Sequence, residues 1–305
     1  MKCIFCLEEK KASEEHVFPD AIGGRLVLSD VCRECNSVLG RDVDYKLTDN
    51  FLVQTARYIY KIPNRQGDII DPFPDLRTDE TNEPVRLILD KKTGDIEKLY
   101  IIPQKPFIEK KGDKEIIKLK LDVQDRDKAP EIIKKFCKRN GISEPSPEQF
   151  DKMLQEAEIQ SSHLTLTGKF CIDVNGIKRA ILKIAYELSY YWLKRDFLYD
   201  TMAALMRCVV MTGGEADLKG WFEFGINKIS RILPYEKGTH FAFLYPCGDN
   251  NLGIYIRIFD CMEAGILITE NSERYNINEY NAPYICIDTI NKKKKEGRFI
   301  DYVRG

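Results

Sequence analysis

Cys3-Ile4-Phe5-Cys6 and Cys32-Arg33-Glu34-Cys35-Asn36 bracket the stretch that decides the N-terminal fold. Between them lie Glu14-Glu15-His16-Val17-Phe18-Pro19 and Gly23-Gly24-Arg25, and the stretch closes on Gly40-Arg41-Asp42-Val43-Asp44. Two Cys-x-x-Cys pairs at this separation suit one tetrahedral zinc ion held by Cys3, Cys6, Cys32 and Cys35. Each pair forms a tight knuckle that aims both sulfurs at one ion. The scaffold carries a carboxylate and a histidine side by side between the pairs, and an asparagine directly after the last cysteine.

The rest of the chain bounds the alternatives. Its 305 residues, 43% hydrophobic and 31% charged, are enough for two domains and a sizeable core. A formal net charge of -1 removes any global basic signal, so a nucleic-acid site must be a local patch. No apolar run is long enough for a membrane span, and the start lacks a signal-peptide pattern. Ten cysteines, four of them in zinc spacing, point to a reducing cytoplasm rather than to a disulfide-rich secreted chain. Cys137, Cys171, Cys208, Cys247, Cys261 and Cys286 read mostly as small core residues.

Turn and cap signals divide the chain. Ser29 or Asp30 is a candidate cap for a helix over 31–39, with Gly40 as its stop. A second helix is expected over 42–62. The Pro- and Asp-rich residues 63–84 read as a linker, which sets a first domain at 1–62 and a second at 85–305. Alternation predicts strands over 85–89, 96–102, 116–123, 164–174, 240–245, 252–259, 265–269 and 284–287. Helices are expected over 130–140, 147–158, 177–195 and 200–211. Strands grouped around helices define an α+β class with a mostly antiparallel sheet. His163 and His240 read as structural residues. Tyr186, Tyr190, Tyr191 and Trp192 share a helix with an apolar stripe and read as core.

The chemistry starts at Glu15 and His16. Neighbours on an extended strand face opposite sides, so only a bent strand lets both serve one site. A helix after Cys32 would carry Asn36 toward them. A carboxylate and an amide oxygen are hard ligands suited to Mg²⁺ or Mn²⁺, and a neutral histidine beside them can take a proton from water. Asp42 and Asp44 either support such a metal or cap the next helix. Arg25, Arg33 and Arg41 are candidate phosphate contacts, although residues 1–50 hold seven Lys and Arg against ten Asp and Glu. The run Lys292–295 is a further source of positive charge.

In their order, Cys-x-x-Cys, Glu-His-Val-Phe-Pro, Gly-Gly, Val-Cys-x-x-Cys-Asn and Gly-x-x-Val-Asp resemble an HNH endonuclease of the four-cysteine type, over about residues 1–50. The resemblance implies a small zinc-stapled ββα-metal domain acting on DNA. His16 would be the general base, Glu15 and Asn36 would hold a catalytic Mg²⁺ or Mn²⁺, and the cysteines would hold structural zinc. The sequence departs from the family where a middle asparagine is common; Val27, Leu28 and Ser29 stand there instead. Pairing such a module with a second domain resembles restriction and anti-phage defence proteins. The second domain is then expected to select substrate, to form a homodimer, or to sense a small-molecule or protein signal. The competing reading is a zinc-stabilised nucleic-acid-binding or regulatory protein without hydrolysis.

Overall fold

The computed structural model describes residues 1–304 except 65, 74, 112–113, 160–164, 215–219, 226–232 and 234–235. After the first knuckle, β1 (Ala12–His16) and β2 (Val27–Cys32) pair antiparallel, with Glu15 opposite Leu28 and His16 opposite Val27. Their register slips between Ser13 and Glu15, an irregularity that bends β1. In the connecting turn a Cβ on Gly24 would lie 1.7 Å from the Phe18 carbonyl oxygen, so only glycine fits.

β2 runs directly into α1 (Arg33–Val38), whose N-cap is Cys32; Ser29 and Asp30 lie inside the strand and cap nothing. Gly40 does not stop the helical path. Leu39–Asp44 form a π-turn that leads into α2 (Tyr45–Thr48). Leu39, Val43 and Leu47 are all buried, and this continuous apolar stripe outweighs the roughly 1 kcal/mol that a helical glycine costs. The Asn50 side chain then caps α3 (Phe51–Ile59), so the single helix expected over 42–62 is broken in two.

The next elements are β3 (Leu76–Thr78), β4 (Pro84–Leu89), β5 (Ile96–Ile101), β6 (Phe107–Lys111), β7 (Lys114–Lys118), α4 (Ala129–Asn140), α5 (Pro147–Gln155) and β8 (Leu166–Gly168). Strand order β5-β4-β3-β8 brings the first and last strands of this segment together, Leu76 opposite Gly168. A Ser146–Gln149 capping box starts α5, and Gly141 in the left-handed region ends α4. Ile133, Cys137 and Phe150 form its small core. The strand expected over 164–174 shrinks to β8, and His163 lies outside the described residues.

α6 (Val174–Leu193) is the central helix, capped by Asp173 and buried along most of its length. Tyr186 and Tyr190 sit in the core, as the apolar stripe requires. α7 (Thr201–Thr212) follows, capped by Asp200, which also accepts a bond from Thr269 Oγ1 at 2.7 Å. Then come β9 (Phe222–Phe224), β10 (Thr239–Pro246), β11 (Leu252–Ile258), β12 (Met262–Thr269), β13 (Pro283–Asp288), β14 (Lys293–Arg298) and α8 (Phe299–Arg304). The six strands make an antiparallel sheet in the order β14-β13-β10-β11-β12-β9. One face, with Ala242, Leu244, Ile254 and Ile256, shares a core with α6, α7 and the N-terminal hairpin. The other carries Phe241, Phe243 and Tyr255, and Phe299 of α8 stacks on Phe243 at 3.9 Å. β11 is buried on both faces, which explains its nearly continuous apolar run. The basic run at 292–295 falls largely in β14, an exposed edge strand.

Two units result: Met1–Pro72 with Cys171–Gly305, and Phe73–Phe170. This differs from the division at 63–84. The knuckle and hairpin have too few apolar residues for a core of their own, and Ile4, Val17, Phe18 and Ile22 bury into the core built on α6 and the large sheet. Of the scattered cysteines, Cys171 and Cys208 are exposed rather than in the core.

Candidate functional site

The sulfurs of Cys3, Cys6, Cys32 and Cys35 lie within 4.8 Å of one another, and none is in a disulfide. Backbone shapes the knuckles: Leu7 N–H bonds the Cys3 carbonyl at 2.9 Å, and Cys32 N–H donates to Cys3 Sγ at 3.3 Å. Burial pushes the Cys32 thiol up to about 11 and raises Cys35 as well. Burial also pushes Cys3 upward, but hydrogen bonds, first among them that from the Cys32 backbone, outweigh it and lower the thiol. Thiols this close become thiolates together when a multiply charged ion sits among them. The cluster fits one structural metal ion.

β1 sends Glu15 and His16 to different surroundings. Glu15 is only 3% exposed and turns into the core, where its Oε1 lies 2.5 Å from Lys183 Nζ. His16 is half-buried, and its carbonyl accepts from Lys183 Nζ at 2.7 Å. The π-turn carries Asp44 inward to the same ammonium, Oδ1 at 3.4 Å, and Glu187 one turn along α6 adds Oε2 at 3.2 Å. The Glu15 and Glu187 contacts are close ion contacts without hydrogen-bond alignment.

Asn36 goes elsewhere. Its Nδ2 donates to the Glu14 carbonyl at 2.6 Å and to Ser13 Oγ at 3.2 Å, so it buttresses the bulge in β1. Asp42 pairs with Arg41 at 2.8 Å, while Arg25 and Arg33 stand exposed on the surface.

Burial raises the Glu15, Asp44 and Glu187 carboxyls, Glu187 well above the usual range, and Lys183 pulls each of them partly back. Burial opposes the Lys183 ammonium, but Asp44, Glu187 and Glu15 together outweigh it and its pKa is raised. The shared upward direction has one physical cause: three acids and one base share an enclosed space with too little positive charge.

These contacts test the expected hard-metal site. A Mg²⁺ ion needs oxygens at about 2.0–2.1 Å in a near-octahedral shell that keeps several waters. The Glu15 carboxylate is enclosed and already faces an ammonium, and the Asn36 amide nitrogen is tied to backbone. In this arrangement Glu15 does not fit such an ion, whereas the bonds to Asn36 engage its amide nitrogen and not the oxygen that would ligate one. Lys183 and Glu187 escape notice in the sequence, although two charges four apart inside Ile181-Leu182-Lys183-Ile184-Ala185-Tyr186-Glu187-Leu188 are a signal. Arg179 escapes notice too; its guanidinium bonds the Val210 carbonyl at 2.8 Å and the Asp42 carbonyl at 3.4 Å.

A cysteine-clustered hairpin and helix with a histidine closing the first strand is an HNH-like arrangement. Residues 3–52 match the HNH endonuclease family, so this segment is an HNH-family segment. No curated protein and no solved structure matches the chain. Among the described residues, no helix is long and apolar enough to cross a membrane.

Proposed function

We propose that this chain is an HNH-type endonuclease that hydrolyses DNA phosphodiester bonds, with Cys3, Cys6, Cys32 and Cys35 holding a structural zinc ion. The observation that carries the reading is the family match over residues 3–52, with His16 at the end of β1, the strand whose first residue, Ala12, pairs with Cys32 of the cysteine cluster. His16 takes a proton from water as the water oxygen bonds to phosphorus and the bond to the 3′ oxygen breaks; the 3′ oxygen takes a proton from solvent, leaving a 5′-phosphate and a 3′-hydroxyl. Lys183 holds the His16 carbonyl and Asn36 holds the bulge before it, so the base is anchored on both sides. Exposed Arg25 and Arg33, and the basic edge strand β14, are the candidate phosphate contacts. Restriction or anti-phage defence in a reducing cytoplasm is the setting this reading implies. Residues outside the HNH segment would select substrate, dimerise or receive a small-molecule or protein signal.

A second reading is favoured by one observation, the engagement of Glu15 with Lys183. Under it the module is a zinc-stabilised nucleic-acid-binding element without hydrolysis. Incubating the protein with plasmid and Mg²⁺ or Mn²⁺, with and without EDTA, separates the two. Metal-dependent nicking that His16→Ala abolishes supports the nuclease; DNA binding without nicking supports the second reading.

A further inference from the structure

Lys183 Nζ lies inside a shell made only of oxygens. Glu15 Oε1 stands at 2.5 Å, the His16 carbonyl at 2.7 Å, Glu187 Oε2 at 3.2 Å, the Val17 carbonyl at 3.4 Å and Asp44 Oδ1 at 3.4 Å. The Lys183 and Glu187 side chains are completely enclosed. Carboxylates mixed with backbone carbonyls are the ligand set that oxygen-seeking divalent cations take. Here the positive charge at the centre is instead tethered to α6.

We propose that the Lys183 ammonium is the resident cation of the Glu15 site: it fills the place a divalent ion would need against Glu15, and Glu15 in this chain anchors the His16 strand instead of ligating a metal. Three features carry this. An ammonium has three donors, which go to the His16 carbonyl at 2.7 Å, the Val17 carbonyl at 3.4 Å and Asp44 Oδ2 at 3.5 Å, while Glu15 Oε1 stands against the same charge at 2.5 Å as an ion contact. A metal on that Glu15 oxygen would lie against the ammonium with no water between like charges. The cation also comes from outside the HNH segment, since Lys183 lies beyond residues 3–52. Without α6, the segment would lack the ammonium that Glu15 and Asp44 both face.

The shell has a testable corollary: once the tethered charge is removed, a free ion should be able to replace it. The experiment uses the zinc-loaded full chain in thermal unfolding with and without Mn²⁺. Lys183→Ala should unfold earlier than wild type and regain about 5 °C at a Mn²⁺ concentration about 100-fold above its Kd. Adding Glu15→Gln to that variant should erase the gain, and the wild-type Tm should not respond to Mn²⁺ through Glu15. A folded Lys183→Ala protein that Mn²⁺ does not stabilise would overturn the proposal. So would wild-type Mn²⁺ binding that Glu15→Gln removes. Should Lys183→Ala fail to fold, wild-type protein labelled with ¹⁵N-lysine decides. One slowly exchanging ammonium resonance, absent in Lys183→Met or Lys183→Arg, should be unmoved by millimolar Mg²⁺, and its displacement by Mg²⁺ refutes the assignment. None of these readouts needs cleavage, so their failure would leave the hydrolytic reading standing, and a lack of nuclease activity would leave this inference standing.

Discussion

His240 offers the sharpest quantitative test of how the N-terminal hairpin is held. It is completely enclosed, stacked on Phe18 at 5.2 Å and packed against Phe259 at 4.4 Å. Its Nε2 bonds the Ile22 carbonyl at 2.8 Å and its Nδ1 accepts from the Phe259 N–H at 3.3 Å. That pair of bonds requires the neutral ring with hydrogen on Nε2; a second proton on Nδ1 would face an N–H. Burial lowers its pKa from 6.5 to about 4, with the Ile22 bond offsetting part of the shift. Between those values the unfolded chain binds a proton that the folded chain refuses, so stability falls as pH drops. At about 1.4 kcal/mol per tenfold, the loss relative to pH 7 is about 2 kcal/mol at pH 5 and about 3 kcal/mol at pH 4. Urea unfolding of wild type and His240→Gln at pH 7, 6 and 5 isolates this contribution, because every other titrating group is common to both. Wild type should lose about 2 kcal/mol more than the variant by pH 5. Parallel pH profiles would show that His240 is not held neutral by this packing.

Other outcomes follow from the same contacts. Cys32→Ser should lose the bound metal on elemental analysis and lower the stability of the whole Met1–Pro72 and Cys171–Gly305 unit, because the knuckle shares its core; an unchanged melting curve would contradict that. His16→Ala should keep its metal and circular dichroism while plasmid cleavage falls about 10²- to 10⁴-fold; undiminished cleavage removes His16 from the mechanism. Gly24→Ala should destabilise by about 3 kcal/mol or more in denaturant titration, since its Cβ would meet the Phe18 carbonyl at 1.7 Å.

The cysteine knuckles are legible in the sequence because four ligands of one type at fixed spacing need no long-range partner to be recognised. Helices α4, α6 and α7 are legible for a similar local reason: apolar period, caps at Asp173 and Asp200, and glycines past α4 and α7 all agree. Glu15 is different. A glutamate beside a histidine looks like a surface ligand, and its inward turn depends on a lysine far along the chain. The bend in β1 has a local origin in the bulge at Ser13, yet the buttress from Asn36 appears only in three dimensions. The path through Gly40 misleads because glycine is the commonest helix stop, whereas three buried residues on one stripe hold the helical path open here. His240 sits among Phe241 and Phe243 in an alternating strand, and nothing nearby announces that its ring reaches the Ile22 carbonyl.

Residues 73–170 interrupt the unit that contains Glu15 and Lys183, and β3 and β8 bring the two ends of that interruption side by side. The interruption therefore delays assembly in time. His16 and Lys183 are separated by 167 positions, and at about 5–20 residues per second the ribosome takes roughly 10–30 s to make that distance. During that interval the hairpin exists without its counter-charge or its main packing partner. A nascent chain can gather its four thiols around a metal early, but the strand bearing His16 sets only after α6 emerges. The order of synthesis thus works as a timer, and the strand bearing His16 meets its counter-charge only once the chain has been made as far as Lys183.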